Sequence, residues 1–428
     1  MFAAVLLALL ACLTAGLRAA DKDDDKPSRL PGEAGSELVL YGKIRPGDGR
    51  MVWVRDGAGK HQAAKVYLEA GSTLVVLLPN GRLISRPARE TQPCRLSYRG
   101  CGTKAIADEL CQGEYADFKA KQSAHHVYIY NGSEEFTDMA AAILETMHAG
   151  VFDYFQTKGF DVNKPEAPLV VLIYKTEEQF REMSGAPESF MAFYSQTSNH
   201  IVLYETPKEG TPAINAAKQA VLETVAHEGV HQTLHNIGVQ QRLARAPSFV
   251  TEGLAEYFAP TTRGASVTWA GVGQTNDFRW GQFMGFARST GGGDSLVNTV
   301  VTAPRLDSDG YAVAWALVHY LAQKKPTAFA KYIQAVSARK PFGEHYGETP
   351  KGDLDEFREH FGDDLAGMQA AMVKHISGLT YRDPTRSDKH FIVAVEYANG
   401  RSLYRDARIT LDQADLDKIR LKMAEEMA

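Results

Sequence analysis

Residues 221–259 read VLETVAHEGVHQTLHNIGVQQRLARAPSFVTEGLAEYFA, and this stretch contains the strongest chemical signal of the chain. His227 and His231 stand four residues apart, and the apolar residues before them recur with helical spacing. Residues four apart share one face of a helix, so both imidazoles can reach a single metal ion. Glu228 projects beside them and can accept a proton from a water on that ion. The segment therefore predicts a helix that carries two metal ligands and a general base.

A third ligand is predicted at Glu252, which follows His231 by 21 residues. A catalytic zinc ion takes three protein ligands and keeps one position open. Pro247 favours a helix that begins near Ser248, and this helix would carry Glu252 in its first turns, facing the first helix. The alternative is that His227 and His231 are core residues of an amphipathic helix that binds no metal.

The two motifs together resemble those of the gluzincin zinc peptidases, which include thermolysin. They are similar in particular to the peptidase MA-like families, which include an uncharacterised set of secreted bacterial proteins. The motifs of that set are H-E-x-x-H-Q and P-x-[WF]-x-x-E-G-L-A-x-Y-F, which here occupy residues 227–232 and 247–258. The resemblance spans roughly residues 125–375.

This resemblance implies a zinc-dependent peptidase. One Zn²⁺ ion would be held by His227, His231 and Glu252, and Glu228 would activate the zinc-held water for attack on a peptide or protein substrate. The expected fold class is α+β, with a small N-terminal β-barrel-like module before a thermolysin-like domain, in which a mixed sheet precedes a mainly helical half. The alternative from another functional class is a catalytically inactive relative that acts as an extracellular binding or scaffold protein.

Two glutamates are candidates for supporting the ligands, because a ligand imidazole usually donates its second N–H to a carboxylate or carbonyl. Glu256 lies four residues after Glu252, and Glu223 lies four residues before His227. Either can orient a ligand, or be an ordinary exposed helix glutamate. His235, one helical turn beyond the second histidine, is expected to be solvated or to support the site from behind.

The resemblance also implies groups that contact the substrate. Gluzincin aminopeptidases stabilise the oxyanion with a tyrosine at the start of a later helix, and Tyr311 occupies such a place, although the Lys-Gly element of their motif is absent. Packing at a helix N-terminus is the alternative role of Tyr311, and Tyr257 is a weaker candidate. A strand that pairs with extended substrate is expected either at residues 201–204 or at Met191, Ala192, Phe193 and Tyr194.

Composition and texture predict several units along the chain. Its 428 residues are 44% apolar and 23% charged, as in an ordinary globular protein. Acidic residues outnumber basic ones by 52 to 47, so no basic excess is present to bind nucleic acid. The predicted units are a signal peptide (1–20), a disordered linker (21–37), a small β module (38–88), a Cys-containing connector (89–124), the peptidase-like domain (125–379) and a C-terminal β/α extension (380–428).

The small β module has short β-rich runs separated by Gly, Asp and Asn turns. From Trp53 onward its pattern resembles the Sla1 homology domain 1, a small SH3-like module. That resemblance implies a protein ligand for residues 38–88. A plain β-barrel appendage without a ligand is the alternative.

Residues 2–17 form an uncharged apolar run that is too short to span a bilayer comfortably. The run predicts a signal peptide and a secreted or periplasmic protein, with an uncleaved membrane anchor as the alternative. Residues 9–12 loosely resemble a lipobox, so a lipid anchor on Cys12 is a further alternative. No later apolar run is long enough for a transmembrane helix. Removal of the leader would leave an odd number of cysteines and at most one internal disulfide, among Cys94, Cys101 and Cys111.

Overall fold

The computed structural model describes residues 28–29, 38–40, 42–55, 59, 61–187, 190–206, 215–263, 266–289, 295–342, 350–384, 391–399, 402–410 and 416–427. The predicted signal peptide, with Cys12, lies outside these residues. In the described part, no helix is both long enough and apolar enough to cross a membrane.

The N-terminal part is an antiparallel β structure. Strand β1 (Ser28–Arg29) pairs with β2 (Val39–Leu40). The main sheet, called the N-terminal sheet below, contains β3 (Ile44–Pro46), β4 (Met51–Arg55), β5 (His61–Ala70), β6 (Thr73–Leu77), β7 (Leu83–Pro87) and β8 (Gln92–Pro93). Its order is β7–β6–β5–β4–β8, and β3 pairs with the second half of β5. The expected barrel-like closure is absent from the described residues, because β7 and β8 are edges that do not pair with each other.

A mixed five-stranded sheet lies at the centre of the molecule. Its strands are β9 (Lys119–Gln122), β10 (His126–Tyr130), β11 (Leu169–Thr176), β12 (Ala192–Tyr194) and β13 (His200–Thr206), in the order β12–β13–β11–β10–β9. The three inner strands are parallel, and both outer strands are antiparallel to their neighbours. Residues 169–174 of β11 are all buried, as their continuous apolar run predicts for a strand that is covered on both faces.

Helices cover both faces of this sheet. Helices α1 (Thr103–Gln112) and α3 (Glu177–Ser184) pack on one face, and α2 (Glu134–Thr157) packs on the other. Successive side chains of β11 point to opposite faces of the sheet. Val170 and Leu172 share an apolar cluster with α1 and α3. Val171 and Ile173 share one with α2. Apolar runs at 126–130 and 168–174 predict strands, and the sequence predicts helices at 134–158 and 177–184. The observed elements agree with all four to within two residues at each end.

The second half of the chain is mainly helical, and the α+β class with this order of parts is confirmed. The helices are α4 (Asn215–Asn236), α5 (Ser248–Phe258), α6 (Asp277–Ser289), α7 (Leu296–Thr302), α8 (Ser308–Lys324), α9 (Pro326–Ser337), α10 (Pro350–Phe361) and α11 (Leu365–Ser377). They share a core with the α2 face of the sheet, so α4 lies between strands and helices. The C-terminal extension is the hairpin β14 (Phe391–Asn399) and β15 (Ser402–Thr410), followed by α12 (Leu416–Met427).

Two predicted segments differ from the observed elements. Ser28–Arg29, inside the predicted disordered linker, forms a paired strand, while the rest of that linker lies outside the described residues. The predicted connector, 89–124, contributes β8 to the N-terminal sheet and β9 to the central sheet. No disulfide joins Cys94, Cys101 and Cys111.

Candidate metal centre

Helix α4, which carries the first motif, is packed tightly between α2 and the central sheet. Gly229 faces α2, where an added Cβ would stand 2.2 Å from Leu144 Cδ2, so the two helices approach closely at this point. On the sheet side, the buried amide Nε2 of Gln232 donates to Val170 O at 3.0 Å and to Asn199 O at 2.7 Å. These contacts fix the rotation of α4, and with it the direction of both histidines.

Helix α5, which carries Glu252, begins at Ser248 as the preceding proline predicts. It packs against α8 through Gly253, where an added Cβ would stand 2.6 Å from Val318 Cγ2 and 2.8 Å from Ala314 O. On its other side, Phe249 stacks on Tyr332, with ring centroids 6.0 Å apart. The glycine that follows Glu252 therefore allows the close packing that holds this carboxylate opposite α4.

The three predicted ligand atoms form a small triangle. His227 Nε2 and His231 Nε2 are 3.1 Å apart, and Glu252 Oε2 lies 3.3 Å from the first and 3.5 Å from the second. Ligands held 2.0–2.1 Å from a tetrahedral zinc ion stand about 3.3–3.4 Å from one another. Glu252 Oε2 is buried and makes no other hydrogen bond within the described residues. The donor set therefore fits a single tetrahedral metal ion, as one His–His–Glu group.

The electrostatics of the triangle favour a cation. Burial lowers the pKa of His227, but the carboxylates of Glu252 and Glu256 outweigh this effect and raise it to about 10. Burial raises the pKa of Glu252, but His231 and His227 outweigh it and lower the value to about 2. The field that would stabilise a proton on the imidazole also attracts a divalent ion.

Glu228 lies beside the ligands and is only 1% exposed. Burial raises its pKa, against the opposing effect of His227 and His231. Its Oε1 atom is buried and accepts no hydrogen bond from the residues that the structure describes. A carboxylate of raised pKa whose Oε1 has no partner among the described residues is suited to accept and return a proton.

Glu256 is the candidate glutamate that contacts a predicted ligand, His227. Its Oε1 atom lies 3.2 Å from His227 Nδ1 and accepts from Arg279 Nη2 at 2.7 Å, while Oε2 accepts from Asn276 Nδ2 at 2.8 Å. These partners outweigh the effect of burial and hold the pKa of Glu256 far below its usual range. The ionised carboxylate fixes the proton of His227 on Nδ1 and directs Nε2 to the triangle.

Glu223, the other candidate glutamate, has different surroundings. It accepts a hydrogen bond from Gln219 at 3.1 Å, and burial raises its pKa to about 8. The side chain lines a small pocket beside His227, together with Asn276 and Arg279. The two glutamates that the sequence could not separate therefore occupy different positions.

Tyr311 lies next to the site, in the first turn of α8. Its ring centroid is 6.2 Å from that of His227, and the Arg279 guanidinium stands 5.1 Å from its ring centroid. Burial and the nearby carboxylates raise the pKa of Tyr311 well above its usual value. The phenol therefore stays protonated, and its O–H can donate a hydrogen bond. The weaker candidate, Tyr257, accepts from Gln323 at 3.0 Å, on α8.

The strand predicted to pair with substrate lies at the edge of the central sheet. Residues 192–194 form β12, the outermost strand, and Met191 precedes it. A backbone hydrogen bond from Tyr194 lowers the pKa of Glu228, so this edge runs beside the catalytic candidate. The alternative at 201–204 is wrong, because β13 is paired on both sides. His235 stacks on Tyr194, with ring centroids 5.5 Å apart, and is not part of the ligand group.

Arg279 and Asn276 are the site residues that sequence reasoning missed. Neither has a fixed spacing from a ligand, since both reach Glu256 from another helix or the loop before it. One feature of the sequence could have indicated Arg279. It stands four residues before Phe283, which is fully buried, so a charged side chain shares a helix face with an apolar one. Such a charge normally requires a buried partner of opposite sign.

Comparison with known proteins finds a match of one segment to a family model and one structural similarity. Residues 221–343 match a family described as "Protein of unknown function (DUF1570)". No curated protein matches the chain. Among solved structures, the chain is similar to the ZmpB metallopeptidase from Clostridium perfringens, with 9% identity and a TM-score of 0.28 over 87% of this chain and 82% of that chain.

Proposed function

We propose that this chain is a secreted zinc-dependent peptidase of gluzincin type. The observation that carries the proposal is the triangle of His227, His231 and Glu252, whose edges of 3.1, 3.3 and 3.5 Å fit three ligands of one tetrahedral zinc ion. A base beside the triangle and a neutral tyrosine next to it complete the groups that amide hydrolysis requires. Secretion rests on the leader predicted at residues 1–20.

The residues divide the work of peptide hydrolysis. When bound, Zn²⁺ would lower the pKa of a water toward 7 and polarise the substrate carbonyl. Glu228 would take the proton from the attacking water and return it to the leaving amine. Tyr311 would donate to the oxyanion of the tetrahedral intermediate, and Glu256 would hold His227 in the ligating tautomer. Strand β12 would pair with extended substrate and align the scissile bond.

The test of this function compares the wild type with Glu228→Gln on casein and on a peptide library. The variant keeps the shape and the three ligands, so both proteins should hold equal zinc. Removal of a general base should reduce turnover by about 10²–10⁴-fold. Full hydrolysis by Glu228→Gln would contradict the mechanism. Zinc with no turnover in the wild type would favour the inactive scaffold instead.

A further inference from the structure

The N-terminal sheet contacts the segment that joins the two metal helices. This segment, residues 237–247, is called the α4–α5 loop below. Leu243 in the loop is buried in one apolar cluster with Leu68, Leu77 and Leu83 of the sheet. The hydroxyl of Tyr67 on β5 donates to Arg242 O at 2.8 Å. The sheet therefore meets the loop through both apolar and polar contacts.

A single buried guanidinium joins three segments at this contact. Arg242, 6% exposed, donates from Nη1 to Gly81 O at 2.8 Å, from Nε to Gln196 O at 2.6 Å and from Nη2 to Thr197 O at 2.9 Å. Gly81 belongs to the turn before β7, while Gln196 and Thr197 form the turn between β12 and β13. A charge-assisted hydrogen bond is stronger than a neutral one. Arg242 therefore holds the α4–α5 loop, the turn before β7 and the turn between β12 and β13 together.

The loop also contacts the helical half of the chain. Arg245 Nη1 donates to Asp353 Oδ1 of α10 at 2.8 Å, and Phe342 N donates to Leu243 O at 2.9 Å. Arg242 lies 11 residues after His231 and 10 residues before Glu252. A displacement of the loop at Arg242 would therefore be transmitted to α4 and α5 and change the ligand distances.

We propose that the N-terminal sheet is a positioning element of the metal centre, which acts through Tyr67 and Arg242 on the α4–α5 loop. This inference rests on the metal site of the proposed function. Ligand geometry must be held to within about 0.5 Å for tight binding, and no residue of the sheet touches the ligands in the part described. The sheet would act by holding Glu252 at its distance from the two histidines, and by fixing β12 through Gln196 and Thr197.

The test is a matched pair of variants in the full chain, Tyr67→Phe and Tyr98→Phe. Each variant loses one phenolic hydrogen bond of 2.8 Å, from Tyr67 to the loop carbonyl of Arg242 or from Tyr98 to Leu78 O, which lies between β6 and β7 and outside the α4–α5 loop. We expect Tyr67→Phe to raise the zinc dissociation constant by about 10-fold, the lower end of the effect of losing support around a ligand. Tyr98→Phe should leave it unchanged. Zinc is titrated against a chromophoric chelator.

A third variant, Arg242→Lys, keeps the charge but replaces a planar fork with a single ammonium that cannot reach all three carbonyls. It should weaken zinc binding at least as much as Tyr67→Phe. Hydrogen exchange of amides 239–246 gives a second readout that needs neither zinc nor activity, and exchange should be faster in Tyr67→Phe and Arg242→Lys than in Tyr98→Phe.

Equal zinc affinity and equal exchange in Tyr67→Phe and Tyr98→Phe would overturn the inference. Failure of the proposed function has a different signature, because a wild type that binds zinc but cleaves nothing leaves the comparison of affinities intact. A wild type that binds no zinc refutes the metal site, and the exchange rates then decide whether the sheet fixes the loop.

Discussion

Glu256 links His227 of the ligand triangle to Arg279 and Asn276, from which it accepts two hydrogen bonds. The pair of Glu256 with Arg279 is buried, so each charge depends on the other. Removing the carboxylate charge would release the Nδ1 proton of His227 from its acceptor and leave the guanidinium uncompensated. The orientation of His227 and the stability of the fold therefore both depend on the carboxylate of Glu256.

We predict that Glu256→Gln raises the zinc dissociation constant by about 10–100-fold. It should also lower the free energy of unfolding by about 3–5 kcal/mol, because a buried charge loses its partner. Glu223→Gln is the matched control, since Glu223 contacts Gln219 rather than a ligand. Competition with a chelator and urea denaturation measure the two quantities. Equal zinc affinity in both variants would show that Glu256 does not orient His227.

The candidate site was predictable from sequence where covalent spacing determines geometry. His227, Glu228 and His231 lie on one helix. Glu252 was predicted as the third ligand because Pro247 favours a helix that carries it in its first turns. Arg279 was not predictable, because its contact with Glu256 spans 23 residues and depends on how two helices pack. The same reason explains why Glu223 and Glu256 looked alike in the sequence.

A histidine cluster away from the metal centre predicts how stability responds to acid. His148 of α2 is buried beside His125 and His126, and burial lowers its pKa to about 3 from 6.5. Between these values the unfolded chain binds a proton that the folded chain does not. Stability from this residue is therefore complete above pH 6.5 and is lost as the pH falls toward 3, by at most about 1.4 kcal/mol per pH unit.

Replacing His148 with glutamine removes this titration, so the free energy of unfolding should fall less steeply between pH 6.5 and 4 than in the wild type. Urea denaturation in the presence of a chelator measures the slope without interference from metal release. Parallel curves for the two proteins would contradict the prediction.

At the scale of elements, the contact of α5 with α8 determines where Glu252 stands. An added methyl at Gly253 would meet a backbone oxygen, Ala314 O, at 2.8 Å, and this atom cannot move away by a change of rotamer. Overpacking costs about 1–3 kcal/mol, whereas the gain in helix propensity is at most about 1 kcal/mol. We predict that Gly253→Ala lowers the free energy of unfolding by about 1–2 kcal/mol.

Gly281 of α6 provides the control, because an added methyl there would meet nothing closer than Tyr381 Oη at 3.7 Å. Gly281→Ala should raise the free energy of unfolding by up to about 1 kcal/mol. Chemical denaturation of both variants measures the difference. A stabilising effect of Gly253→Ala would mean that α5 and α8 do not approach as closely as described.

Helical apolar periodicity made α2 predictable, and continuous apolar runs made β10 and β11 predictable. Strands that depend on pairing with a neighbour were predicted too short or not at all. The sequence pattern indicates a strand only at 408–410, whereas β15 begins at Ser402, because its register with β14 continues to the Asn399–Ser402 pair. Strands β8 and β9 were assigned to a connector because no pattern in their own sequences indicates a strand. Their sequences are polar, and only a partner strand makes them extended.

At the scale of the whole molecule, the metal centre lies where the helical half meets the central sheet. The class and order of the parts followed from the sequence, but the contact of the N-terminal sheet with the α4–α5 loop did not. That contact joins residues 161 and 175 positions apart, in the pairs of Arg242 with Gly81 and Tyr67. No local pattern predicts which surface a separate sheet will cover.

Metal removal should reduce the stability of the whole chain. A ligand that binds only the folded state stabilises it by about 4 kcal/mol when its free concentration is about 1,000 times the dissociation constant. Addition of a chelator should therefore lower the Tm of the wild type by several degrees and leave the Tm of His231→Ala unchanged. Calorimetry measures both. An unchanged wild-type Tm would favour the alternative in which the histidines are core residues without metal.

The most direct test is the zinc content of the purified wild type and of Glu252→Ala, measured side by side by mass spectrometry. The account predicts one zinc ion per chain in the wild type and far less than one in the variant, because α5 then contributes no ligand. A wild type without zinc, or equal zinc in both proteins, would contradict the claim that α4 and α5 hold one metal ion between them.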